Sequence, residues 1–140
     1  MTLLEVVVFM TLTLFVLGGS FPLITRLRYA DKAHEERLAA INLAASTIET
    51  LRATPYTQLT HGYAKRTSST GGIYYEKYYS KTNFYANALL NMRIRLYEQN
   101  DATMGDYYRG EIRLRWDVKR AANQVEHAEE TFTALLFPDV

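Results

Sequence analysis

The sequence predicts an α+β fold: a long N-terminal helix, amphipathic in its outer half, packed on a small antiparallel sheet of three to four strands. Three observations carry this reading. After Glu5 no charged side chain occurs until Arg26, and the stretch from Arg26 to Thr54 contains neither glycine nor proline. The C-terminal half instead alternates apolar with polar residues, the pattern of half-buried strands.

Residues 1–25 form the first segment. The uncharged run from Val6 to Thr25 would be about 30 Å long as a helix, enough to cross a hydrocarbon layer. A carboxylate at the head of such a run is stable only at the interface or beside a cation. Glu5 therefore has two readings. It lies at the headgroup level as a flank, or it meets the α-amino group of Met1 on a neighbouring copy. Within the same segment, Gly18, Gly19 and Ser20 lower helix propensity and Pro22 lacks a backbone donor. A bilayer would keep an isolated chain helical here, because unpaired amides in lipid are costly. Between packed copies, neighbours can satisfy those groups, and a hinge or melted segment is expected around Phe15 to Leu23. A simple kinked membrane helix is the alternative.

Residues 26–54 continue the helix, with Ala, Leu, Glu, Arg and Lys predominating. Leu38, Ile41, Ala45 and Ile48 follow three-and-four spacing, with Leu51 beside them, and are expected to pack on the sheet. Asp31, Lys32, Glu35, Glu36 and Arg37 are expected on the wet surface. Thr54 precedes Pro55, a position biased away from helix, so the helix should stop there.

Residues 55–72 are rich in Thr, Ser, Gly and basic side chains and read as a connecting loop. Ser68, Ser69 and Thr70 within it are candidate O-glycan acceptors, although hydroxyls in a loop are ordinarily turn residues. Residues 73–140 form the sheet head. Strands are expected at Ile73–Tyr79, Asn91–Gln99, Glu111–Lys119 and Thr131–Phe137. The alternation is clearest in the third, where Ile112, Leu114 and Trp116 face inward against Arg113, Arg115 and Asp117. A turn is expected at Gln99–Asp106 and a protruding loop at Arg120–Glu129.

The sequence carries no recognisable catalytic constellation. His34, His61 and His127 lie apart and not at metal-ligand spacing. No phosphate loop, nucleophile elbow or dinucleotide fingerprint is present. The expectation is a non-enzymatic protein without cofactor, metal or small-molecule substrate. The formal net charge of +1 argues against binding nucleic acid through bulk charge, and the absence of cysteine removes any disulfide framework. Eleven tyrosines are the remaining oddity. Strand propensity explains most of them, and lateral contacts between copies much of the rest. With Lys65, Arg66, Lys77 and Lys81 nearby, a stacking surface for single-stranded DNA is a further reading.

The block Thr2-Leu3-Leu4-Glu5-Val6, the uncharged run behind it and Pro22 within that run resemble the mature N-terminus of a type IV pilin or pseudopilin. The resemblance implies a precursor cut before Met1 by a prepilin peptidase, with N-methylation of Met1. It also implies a pilin-like fold, an inner-membrane stage engaged by an assembly platform, and then an extracellular filament of many copies. In that filament Val6, Val7, Leu12, Leu14, Phe15 and Leu17 would pack against neighbouring helices, with Glu5 and Met1 setting register. The expected function is main structural subunit of a type IV pilus-like filament. A minor pilin or a pseudopilin of type II secretion is the alternative within the resemblance. A membrane-anchored binding domain with no polymer state is the alternative outside it.

Overall fold

A computed structural model of the chain describes residues 2–85, 88–121 and 124–138, with side-chain surroundings defined outside 81–89 and 119–124. One helix, α1 (Leu3–Ala53), is followed by a short 3₁₀ turn (Tyr56–Gln58) and five strands: β1 (Ala64–Thr67), β2 (Ile73–Tyr85), β3 (Ala88–Asp101), β4 (Gly105–Ala121) and β5 (Gln124–Leu136). The strands form one antiparallel meander in the order β1-β2-β3-β4-β5.

The helix has 51 residues and so extends for about 77 Å. It stops where Pro55 demands, with Thr54 in an extended conformation as the C-cap. Pro22 lies inside it, and the helix is continuous through Gly18, Gly19 and Ser20 in this single chain. That continuity concerns one copy alone. The hinge expected between packed copies belongs to a different state.

The sheet has five strands where the pattern predicted three to four. The additional strand, β1, lies in the stretch read as a connecting loop. All four of its residues are exposed, so it carries no apolar alternation to announce it. It joins β2 through a tight turn in which Ser68 N donates to Gly72 O (2.7 Å) and Gly71 adopts a positive φ of 83°. Ser68, Ser69 and Thr70 occupy that turn. The remaining strands run longer than expected, and the protruding loop predicted at Arg120–Glu129 is a second correction. Pairing of β4 with β5 continues to Ala121 and Gln124, so most of that segment is strand. Its polarity is that of an edge strand, not of a loop. The β3–β4 turn falls where predicted. Asp101 accepts the amides of Thr103 (2.8 Å) and Met104 (3.1 Å), which hold its carboxyl below the usual range, and Gly105 has φ 75°.

The core lies between one face of the sheet and the outer half of α1. Leu90, Ile94 and Leu96 of β3 and Ile112, Leu114 and Trp116 of β4 are buried there, as the alternation required of Ile112, Leu114 and Trp116. The helix is rotated from the expected face and shares only Ile48 and Leu51 with it. Ala40, Ala44 and Leu51 are buried, with Leu43 and Ile48 half-buried beside them, whereas Leu38, Ile41 and Ala45 are exposed. Size explains the rotation: the sheet already supplies leucines, isoleucine and tryptophan, so the helix approaches closely through alanines. Glu36, expected on the surface, is carried into the interface by the same rotation.

Candidate functional site

Among the described residues, no other element covers the N-terminal half of α1. None of the side chains in its most apolar window is buried, and the helix is long and apolar enough there to cross a membrane. Exposure of the large apolar side chains runs all round the cylinder, from 38% at Val6 to 86% at Leu3, with Val7, Leu12, Leu14, Phe15 and Leu17 between them. A helix apolar on every side requires an apolar surrounding on every side.

The polar groups of this half are arranged for such a surrounding. Thr11 donates to Val7 O (2.7 Å), Thr13 to Phe9 O (2.8 Å), Ser20 to Val16 O (2.7 Å) and Thr25 to Phe21 O (3.0 Å). Each hydroxyl is thereby satisfied by its own helix, at the small cost such back-bonding carries in water. Pro22 withholds the amide that would have bonded to the Gly18 carbonyl. Beside that carbonyl, Gly18 and Gly19 have open space where a Cβ would stand, so another backbone can approach closely.

Glu5 lies in the first turn. Its Oε2 accepts the Thr2 amide at 2.8 Å, closing one arm of a capping box and placing negative charge at the positive end of the helix dipole. This local role accounts for a carboxylate at that position within one copy. The other carboxylate oxygen and the exposed position leave it open to an external cation as well. Met1, the expected partner on a neighbouring copy and the expected methylation site, lies outside the described residues.

Comparison with protein-family models, curated proteins and solved structures returns no match.

The exposed apolar surface does not stop where the sheet begins. Leu23, Ile24 and Leu27 are exposed, and Leu38 (47%) and Ile41 continue on the side of α1 turned away from the sheet. Of the residues predicted to dock the helix onto its own sheet, Ile48 and Leu51 do so, whereas Leu38, Ile41 and Ala45 extend the uncovered surface of the N-terminal half. Sequence reasoning missed the true docking face because Ala33, Ala40 and Ala44 score weakly as apolar, although their spacing with Leu51 follows the helical repeat.

Among the described residues no three histidines or carboxylates converge. His127 pairs with Asp117 across β4 and β5 at 2.6 Å, an exposed contact. Arg37 reaches Glu130 of β5 at 2.9 Å and ties the helix to the sheet edge, and Tyr63 is pushed up to about 12 by burial and by Tyr79.

Proposed function

We propose that this protein is a structural subunit of a pilus-like filament, inserted in a membrane before assembly and polymerising through the N-terminal half of α1. One observation carries the proposal: a single continuous helix is predominantly apolar and uncovered over its first half and docked on a sheet over its second. Burying the uncovered half against copies of itself would contribute roughly 2 kcal/mol per well-packed side chain. In this reading the bilayer holds the same surface until neighbouring helices replace it, and the satisfied hydroxyls of Thr11, Thr13, Ser20 and Thr25 suit both surroundings.

Glu5 supplies register. A copy out of step would leave its carboxylate without a cation in an apolar bundle, a cost that selects one alignment even where the pair adds little net stability. The pilin-type block Thr2 to Val6 supports this reading, and processing by a prepilin peptidase with methylation of Met1 would accompany it.

The test is cross-linking and negative-stain imaging of material purified from cells making Glu5→Gln beside the unaltered protein. Fibres are expected from the unaltered chain and loss of incorporation from Glu5→Gln, with the melting of the sheet domain unchanged. Monodisperse single copies from the unaltered protein would favour an anchored domain with no polymer state and would overturn the proposal.

A further inference from the structure

The net charge of the chain conceals how the fold sorts it. Alternation in β1 to β4 places Arg66, Arg93, Arg95, Arg109, Arg113 and Arg115 on the face of the sheet turned away from α1, because their neighbours Tyr75, Ile94, Leu96, Ile112 and Leu114 face the core. The carboxylates sharing that face in β2 to β5, Glu76, Asp101, Glu111, Asp117 and Glu129, are fewer, and Asp101 is held by the amides of its own turn. They are also engaged: Glu76 with Arg95 (2.9 Å) and Arg93 (3.7 Å), Glu129 with Arg113 (3.6 Å), Glu111 with Arg113 (3.9 Å), and Asp117 with His127 (2.6 Å). Among the described residues, no carboxylate forms an ion pair with the exposed Arg66, Arg109 or Arg115.

Register then sets tyrosines between these cations. Arg66 pairs with Tyr74, Tyr74 with Tyr97 and Tyr97 with Arg109, a straight row across four strands. The row spans about 14 Å at ordinary strand spacing. The two rings stand 5.5 Å apart, the Arg109 guanidinium lies 5.0 Å from the Tyr97 ring and that of Arg95 5.3 Å from Tyr74. In a second row Tyr78, 55% exposed, sits beside Arg93, which directly opposes Arg113. Like charges opposed in register are unfavourable. Glu76 beside Arg93, and Glu111 and Glu129 beside Arg113, offset part of that cost, and a polyanion laid across the pair would offset the rest.

We propose that this outer face binds single-stranded nucleic acid, the arginines taking phosphates and the tyrosines stacking on unpaired bases. Guanidinium groups interleaved with aromatic rings on an open antiparallel sheet are the chemistry that single strands use. Rings between the cations favour unpaired bases over the saturated, charged sugars of an acidic polysaccharide and over a duplex, whose bases are already stacked on one another. The assignment is independent of the filament reading, since it uses no residue of the uncovered helix.

The experiment measures fluorescence anisotropy of labelled oligothymidylate with the full chain in detergent, across about 50 to 200 mM salt. The unaltered chain is expected to bind, with affinity falling as salt rises. The combined variant Arg66→Gln, Arg109→Gln and Arg115→Gln should lose tenfold or more and flatten the logarithmic salt slope by about 2, each phosphate contact on a single strand being worth about 0.7. Tyr78→Ala should lose about fivefold or more with the salt slope unchanged. If circular dichroism shows the combined variant misfolded, each single arginine variant is expected to lower the slope by about 0.7. No binding by the unaltered chain, equal binding by folded arginine variants, or equal affinity for polyuronate or a duplex would overturn the proposal.

Discussion

Oε1 of Glu36 lies 4.0 Å from Nζ of Lys32, one helical turn away, yet the glutamate side chain is 4% exposed and the lysine 47%. The ion pair therefore spans the boundary of the helix–sheet interface. Among the described residues Oε2 of Glu36 has no hydrogen-bond partner. Burial pushes its carboxyl up from the ordinary range, against a smaller downward pull from Lys32.

The direction fixes the sign of a pH effect. Because the folded state holds this proton more tightly than the unfolded chain, the associated stability is full below the unfolded value and is lost as pH rises through the folded one. Glu36→Gln should then melt higher than the unaltered protein at neutral pH. A gain of about 1 kcal/mol corresponds to roughly 4 °C, and the difference should shrink near about pH 4, the ordinary carboxylate range. Melting by circular dichroism at both pH values checks it, and a lower midpoint for the variant at neutral pH would contradict it.

The two faces of outer α1 should respond oppositely. Ala44 is fully buried against the sheet, so Ala44→Leu is expected to cost about 1–3 kcal/mol through overpacking. Leu38→Ala and Ile41→Ala, on the exposed side, should each change the stability of a single copy by no more than about 0.5 kcal/mol. In the assembly reading those same two variants should weaken association between copies. Denaturant melting of detergent-solubilised protein, set beside the yield of fibres, separates the two effects.

Trp116 and Leu114 anchor β4 beneath the helix. Trp116→Ala should cost about 3–5 kcal/mol, enough to unfold a marginal domain. The expected signature is loss of a cooperative melt, and retention of one at an unchanged midpoint would show that the tryptophan is not a core element.

Burial pushes both Tyr63 and Tyr108 up to about 12, Tyr108 also under Glu98 and neighbouring tyrosines. The unfolded chain would ionise them first, near about 10, so their contribution to stability is present below that value and lost as pH rises toward 12. Ultraviolet titration should show a late phenolate fraction that disappears in Tyr63→Phe with Tyr108→Phe. A titration of the unaltered protein finished near about 10 would refute it.

Much of the architecture was legible from local signals. The helix end at Thr54 follows from Pro55, and the inward set Ile112, Leu114 and Trp116 follows from alternation on a strand with one wet face. The edge strands were not legible. β1 and the first half of β5 are polar where a central strand would alternate, since an edge strand makes fewer packing demands and is blunted with charge. The docking face of α1 was misread for a related reason: large apolar side chains draw the eye, while close approach to a sheet selects small ones.

What the sequence by itself determined is a helical run long and apolar enough to cross a membrane, because twenty uncharged residues in succession favour an apolar surrounding; that the rest of the described fold leaves it uncovered is a tertiary outcome. Only the tertiary structure decided which side of outer α1 meets the sheet, that Glu36 is buried, and that arginines and tyrosines from four strands fall into shared rows. Those outcomes depend on strand register and on the rotation of a helix about its axis. Both are set by how side chains from distant segments fill common space, and no local pattern encodes that fit.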